Sequence, residues 1–380
     1  MTGVVASVNP IQDIVLEAVD SRTPLRIAGK AHWMDAGRPV AATRIASLAT
    51  HDGVVDYVPG DLTITVKAGT TLHDIDRITR AEGQWFPLAP FGPVDGTIGA
   101  TIATGSFGPL AHGFGRARDL VLGVEFITGE GKIVRGGGRV VKNVAGFDLV
   151  RLVTGSWGTV GIITELTLRL YSRPQAAVSL CMSVPDKAIT LAQRLRAIMT
   201  APVTPLAMEL ISGPVAAQVG LPRRSGILIE LGGNSASVAA QLAALEALGG
   251  VVEVADPWQK LRVIEGESAR PVLRFSSLPT RVGEVWTALA HATIGLSGVL
   301  MHATPAFGVV RCILPADVHG DEIRRIVGAV PDVTVIYERL PHAMWDALSP
   351  SVVSDPISQG IMKAFDPHRI LNPGIMGPAS

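Results

Sequence analysis

The stretch VKNVAGFDLVRLVTGSWGTVGIITELTLRLYSRP, Val141 to Pro174, decides the fold. It joins a tight turn at Ala145-Gly146, an apolar helix-like run with Leu149, Leu152 and Val153, and the cluster Gly155-Ser156-Trp157-Gly158 with Gly161 close behind. An alternating strand follows, in which Ile163, Leu166, Leu168 and Leu170 are set against Thr164, Glu165, Thr167 and Arg169. Glycines so dense between apolar elements place backbone close to something flat or charged, and a buried cofactor is the natural candidate.

Working outward, the first ~170 residues carry short strand signals closed by turn residues: PLRIAGKAHW, VVDYVPG and LTITVKAG. A capping box at Thr71-Leu72-His73-Asp74 predicts a helix with Leu72, Ile75 and Ile78 on its apolar face and Gly83 at its end. After Pro174 the texture changes to alternating strands and amphipathic helices. VSLCMSV precedes DKAITLAQRLRAIM, GILIELGG precedes SASVAAQLAALEALGG, VLRFSSLP precedes TRVGEVWTALAHA, and GVVRCILP precedes DEIRRIVGAV. Four such units predict a sheet covered by helices. Near the C-terminus Asp355 caps a helix with Pro356 in its first turn and Ile357, Ile361 and Phe365 on one face, ending before LNPGIM.

At 380 residues the chain exceeds one typical core. Apolar residues make up 47% and charged residues 17%, a balance that supports ample burial and excludes a disordered chain. Lys plus Arg and Asp plus Glu are both 33, for zero formal charge, and no basic run stands out. A nucleic-acid partner is therefore not expected. The positive mean hydropathy fits a subunit that buries surface against partners. Cys181 and Cys312 sit in separate apolar strands without cluster spacing, which reads as buried free thiols in a reducing compartment. The N-terminal residues show no secretory pattern. Val285 to Ala303 lacks charge but reads as a helix end, a turn and a strand, so no transmembrane segment is expected.

Three glycine-rich segments punctuate the first part: Ala28-Gly29-Lys30-Ala31-His32, Gly96-Thr97-Ile98-Gly99-Ala100, and Gly155 to Gly161. None is a nicotinamide fingerprint or a P-loop. Exposed backbone N–H groups in such loops can still hold a pyrophosphate.

PVDGTIGATIATGSFGPLAHGFGRARDLVLGVEFITGEGKIVRGGG resembles the FAD-binding segment of the vanillyl-alcohol-oxidase (PCMH-type) flavoproteins. VKNVAGFDLVRLVTGSWGTVGIITELTLRL resembles, more specifically, the FAD-binding E subunits of bacterial glycolate oxidase. The resemblance runs from about Pro24 to Pro174 and resumes at FDPHRILNPGIM. It implies an α+β fold: a two-subdomain PCMH-type FAD-binding domain over residues 1–174, an α+β cap with a helix-covered sheet over 175–340, and a C-terminal strap over 341–380.

The resemblance also implies positions for FAD. Ala28, Gly29, Lys30, Ala31, His32 and Trp33 would wrap the pyrophosphate. Pro90 and the run Gly96, Thr97, Ile98, Gly99, Ala100, Thr104, Gly105 and Ser106 would line the ribityl chain and flavin. Arg118 and Asp119 would fix that loop or the cofactor. Gly158, Gly161 and Ile162 would approach the adenine side, and Asn372 would come near the isoalloxazine. Lys142 would hold its turn or face the flavin or a phosphate. Lys30-Ala31-His32-Trp33 departs from the small residues relatives carry, and Gly105 replaces a common asparagine. His32 stands where some relatives anchor flavin covalently, and is read here as a packing histidine.

Oxidising an α-hydroxy acid needs a base for the hydroxyl proton, a cationic grip on the carboxylate and the flavin as acceptor. Arg274, Arg311, His302 and Glu209 are the candidates in the cap strands, and the histidine-rich metal motif of the catalytic sister subunits is lacking, so no metal is expected. The resemblance implies the FAD-binding subunit of a glycolate-oxidising complex, with a catalytic flavoprotein subunit and an iron–sulfur subunit as partners and a small 2-hydroxy acid as substrate. Its location would be cytoplasmic, with membrane association through partner subunits. A self-sufficient FAD-dependent 2-hydroxy acid or alcohol oxidoreductase and a non-catalytic structural subunit are the alternatives.

Overall fold

The computed structural model describes residues 9–138, 147–184, 188–265, 270–348, 353 and 355–377. The Ala145-Gly146 turn and Lys142 lie outside the described residues. Two antiparallel sheets organise the rest. The first has five strands in the order Val54–Val58, Thr63–Lys67, Ile162–Arg169, Val121–Ile127, Ile133–Gly137. Its middle strand is the alternating run expected from the sequence, and Leu166 and Leu168 are almost wholly buried. Thr164 is buried as well, because its hydroxyl donates to the Glu125 carboxylate at 2.7 Å on the neighbouring strand. A satisfied hydroxyl removes the usual cost of burial.

Helices cover this sheet through apolar stripes. Pro10–Ser21 packs on Val121–Ile127 by Ile11, Val15 and Ala18. Ile98–Thr104 packs on Ile162–Arg169 by Ile98 and Ile102. The expected helix start is present, but as a Thr71 cap without the reciprocal backbone bond of a full box: the Thr71 hydroxyl accepts from the Asp74 amide at 3.0 Å and donates to the Asp74 carboxylate at 2.7 Å. A separate parallel pair, Leu25–Ala28 with Arg44–Ser47, carries the first glycine loop at its end.

The second sheet has eight strands, in the order Val251–Glu253, Ala176–Ser183, Gly226–Gly233, Ala207–Ile211, Leu300–Thr304, Val309–Ile313, Val272–Ser276, Thr334–Arg339. One face is sealed by apolar residues of the helices Ala188–Thr200, Val282–Ala292 and Gly320–Gly328, among them Leu195, Leu289 and Ile323. The opposite face carries ionised groups and looks toward Phe91 and Phe107 of the first half of the chain.

Residues 366–377 return to the first half. The Leu25 amide donates to the Ile370 carbonyl at 2.7 Å, and the Asn372 amide donates to the Leu25 carbonyl at 2.9 Å. The preceding helix, Pro356–Phe365, starts at the Asp355 cap as expected, but its predicted apolar face is not buried. Ile357 is 76% exposed, and only the Phe365 end reaches the core, against Phe126. Helical spacing marks a stripe without saying whether anything covers it. Cys312 is buried, with its thiol pushed up to about 12 by burial, whereas Cys181 is only partly buried, a departure from the expected pair of buried thiols. Among the described residues no helix is long and apolar enough to cross a membrane.

Candidate cofactor site

All three glycine-rich segments and the C-terminal strap converge on one cleft. The end of the Leu25–Ala28 strand and the loop to Met34 form one wall, and the Gly96-to-Thr104 turn and helix form the second. Trp157, Gly158 and Gly161 form the third, and Asn372 and Ile375 of the strap close the end.

The close approach of these segments explains the glycines. A Cβ at Gly29 would lie 2.2 Å from Thr97 Oγ1, so the first two walls meet only because Gly29 has no side chain. Thr97 in turn caps the Ile98–Thr104 helix, its hydroxyl accepting from the Ala100 amide. Gly158 has φ +74°, and a Cβ there would meet Asn372 Nδ2 and Ile27 Cδ1, each at 2.9 Å. The glycines thus let the walls pack against one another with backbone lining the cleft.

Asn372 is 4% exposed and spends its polar atoms on backbone. Its Oδ1 accepts from the Ile27 amide at 2.8 Å, and its Nδ2 donates to the Trp157 carbonyl at 2.7 Å. It lines the cleft, but as a clamp between three segments. Trp157 adopts φ +55°, a left-handed conformation that costs a bulky residue about 1–3 kcal/mol and persists only where the surroundings impose it. Here the Trp157 amide donates to Ala103 and its carbonyl is held by Asn372.

Most of the expected cofactor positions lie in this cleft. The whole run from Ala28 to Trp33 lines it, as do Gly96, Thr97, Gly99, Ala100, Thr104, Gly158, Gly161 and Asn372. His32 sits at its edge with Nε2 3.2 Å from an Asp95 carboxylate oxygen. Ile98 and Ile162 do not line the cleft; both are completely buried and serve the core behind it. Pro90, Gly105 and Ser106 are also outside the lining. Arg118 and Asp119 stand apart: Asp119 accepts from the Arg116 amide at 2.9 Å and fixes its own helix start. Lining residues not predicted as cofactor contacts include Arg26, Met34, Trp157 and Ile375. A charged residue within the apolar strand LRIA and an aromatic inside a glycine cluster were the available signals for two of them.

The cap-strand candidates come together elsewhere, on the charged face of the eight-stranded sheet. His302 and Arg274 both pair in register with Arg311, which makes a row across three strands. His302 Nδ1 is 2.8 Å from a Glu209 oxygen, and Thr304 donates to the other Glu209 oxygen at 2.9 Å. Two acids not anticipated from the sequence complete the cluster. Glu338 accepts from Arg311 Nε at 2.9 Å and pairs with Arg274 at 3.1 Å. Glu265 lies 3.5 Å from Arg311 Nε and 3.8 Å from His302 Nε2. Burial works to raise the Glu338 carboxyl, but Arg311 and Arg274 outweigh it and hold it below the ordinary range. Glu265 is driven upward by burial. The Phe91 ring covers His302 at 4.3 Å between centroids, and Arg311 lies 5.1 Å from the Phe91 and Phe107 rings. Both arginines are thus already engaged by Glu338, although Arg274 Nε and Arg311 Nη1 have no hydrogen-bond partner among the described residues. Among the described residues no cluster of histidine, cysteine and acid side chains has the makings of a metal site.

Backbone-lined walls beside the buried guanidinium of Arg26 fit a cofactor whose flat rings are joined by a diphosphate. The comparisons with known proteins agree. Residues 3–137 match the family described as FAD binding domain. The chain is 36% identical over 274 residues to the glycolate oxidase subunit GlcE of Escherichia coli strain K12, covering 72% of this chain and 70% of that protein. It is 28% identical over 362 residues to the glycolate oxidase subunit GlcD of Bacillus subtilis strain 168, covering 83% and 75%. A probable mitochondrial D-lactate dehydrogenase of Danio rerio is 37% identical over 143 residues, 37% of this chain and 28% of that one. A solved structure of alkyldihydroxyacetonephosphate synthase superposes with a TM-score of 0.70 at 13% identity, over 97% of this chain and 74% of that one, a likeness of fold.

Proposed function

This chain belongs to the FAD-dependent oxidoreductase family that includes the glycolate oxidase subunit GlcE, with FAD as its cofactor, and from that premise we propose that it is the FAD-carrying subunit of a complex oxidising a small 2-hydroxy acid such as glycolate. In this proposal the chain comprises a cofactor-binding unit over residues 1–174, a cap over 175–340 and a strap over 341–380. The FAD, when bound, supplies the acceptor for the two electrons released as a CH–OH carbon becomes a carbonyl. The walls of the cleft exclude water from it, and Asn372 holds the strap and the Trp157 turn in register around it.

The observation that carries the subunit reading is that Arg311 and Arg274 are both already engaged by the Glu338 carboxylate. A carboxylate substrate would have to displace a buried, two-armed ion pair, which is costly. The substrate-oxidising step is accordingly assigned to a partner flavoprotein, and onward transfer to an iron–sulfur partner. Cys181 and Cys312 occupy separate strands and do not supply a cluster here. Location in the cytoplasm, with any membrane attachment through partners, belongs to the same proposal.

One feature favours the self-sufficient alternative. Glu209 holds His302 Nδ1 at 2.8 Å, and Nε2 is buried with no hydrogen-bond partner among the described residues. That is the arrangement of an oriented general base. An anaerobic absorbance spectrum of the isolated chain, with and without glycolate, separates the two. A flavin spectrum that glycolate leaves unchanged until partner subunits are added supports the subunit assignment; rapid bleaching without partners overturns it.

A further inference from the structure

Among the described residues three arginines are buried: Arg26 at 8% exposure, Arg38 at 7% and Arg311 at 4%. Arg311 has Glu338 and Glu265, and Arg38 has Asp346 at 3.3 Å. Arg26 has no carboxylate among the described residues. Its Nη2 donates to the Trp33 carbonyl at 3.3 Å and reaches Met34 at 3.5 Å, while its Nη1 is buried without any partner. Burial lowers its pKa with no acid nearby to offset that effect. A guanidinium stays charged all the same, and an uncompensated buried charge is among the more destabilising features a fold can carry. Arg26 also lines the cofactor cleft, one residue from the Ala28-Gly29 turn and facing walls kept free of bulk by Gly29, Ala31 and Gly96.

We propose that Arg26 is a buried counter-charge kept for the diphosphate of the cofactor. The chain without cofactor then carries a penalty that FAD removes, and the site selects a dinucleotide over a flavin lacking phosphate. This deepens the FAD assignment and is independent of which substrate the complex oxidises. Two carbonyls fix the guanidinium plane at Nη2, which leaves the Nη1 edge for a charge-assisted bond to a phosphate oxygen. A structural clamp for residues 33–34 is the competing role, and the two differ in sign.

The test measures thermal stability of the cofactor-stripped chain and its binding of FAD, ADP and riboflavin, for wild type, Arg26→Met and Arg26→Lys. Replacing an uncompensated charge by an apolar chain of similar length should leave the stripped protein's melting temperature unchanged or higher. The same Arg26→Met change should weaken FAD and ADP by about 100-fold, the scale of a lost buried charge-assisted contact, and leave riboflavin unaffected. Arg26→Lys should recover part of the FAD and ADP affinity. A stripped Arg26→Met chain that melts well below wild type, or fails to fold, assigns Arg26 to the clamp and overturns the proposal. So does undiminished FAD affinity in a wild-type-like Arg26→Met, or an equal loss for riboflavin and FAD in Arg26→Lys. A wild-type chain that takes up neither FAD nor ADP removes the cofactor assignment itself.

Discussion

The Asn372 side-chain amide donates to the Trp157 carbonyl across 2.7 Å, and so ties the C-terminal strap to a turn 215 positions earlier in the chain. The same side chain accepts from Ile27 at 2.8 Å, so one residue joins two walls of the cofactor cleft to the strap that closes its end. Asn372 has φ +46°, a region asparagine tolerates better than most residues. Asn372→Ala removes both bonds and strands the Ile27 amide and the Trp157 carbonyl. The expected loss is about 2–4 kcal/mol of unfolding free energy, with weaker FAD retention. Asn372→Asp keeps the acceptor for Ile27 but sets a carboxylate oxygen against the Trp157 carbonyl in a buried site, so denaturant titration at neutral pH should place it no higher than the alanine variant.

Gly29→Ala pushes a methyl group to 2.2 Å from Thr97 Oγ1, which is itself the cap of the Ile98–Thr104 helix. Relief requires the two cofactor walls to part, at an overpacking cost of about 1–3 kcal/mol. The purified variant should carry less flavin per chain, read from absorbance. Gly328→Ala is the counterpart: no atom lies within reach of its Cβ, and it ends a helix. Its melting temperature should rise slightly, since alanine gains about 0.4–1 kcal/mol over glycine where the backbone permits.

Glu338→Gln leaves Arg311 and Arg274 as buried charges, and the expected destabilisation near neutral pH is about 3–5 kcal/mol. The pH dependence has a definite sign. The folded-state Glu338 carboxyl is held below its unfolded value, so its contribution is present above the ordinary glutamate range and lost as pH falls through the depressed value. The stability gap between wild type and Glu338→Gln should therefore narrow on acidification below about 4.5. A gap independent of pH would show that Glu338 acts through packing rather than charge.

Glu230 behaves oppositely. Burial, reinforced by Asp256, raises its carboxyl to about 7. A raised folded-state value favours the protonated form, so the native state loses stability as pH climbs from the ordinary range to that value. Glu230→Gln should thus be more stable than wild type by about 1–2 kcal/mol at pH 8, allowing for partial exposure, and no more stable at pH 4. Thermal melts at the two pH values check it.

The sequence by itself determined the local elements and the cofactor walls. The alternation of Ile163, Leu166 and Leu168, the Thr71 helix cap and the glycine loops each encode their outcome within a few residues, because backbone sterics and side-chain period act locally. It also marked Arg274, Arg311, His302 and Glu209 as chemically suspicious. What no local pattern carries is partnership. Only the fold brought Glu338 and Glu265 to Arg311, spent the Asn372 amide on Ile27 and Trp157, and left Ile357 uncovered at 76% exposure. Those facts depend on which strands become neighbours, and ionic pairing and burial are settled only when segments distant in sequence meet. The same is true of Arg26: as a letter in LRIA it is one more charged residue, and only the closed cleft reveals that nothing among the described residues neutralises it.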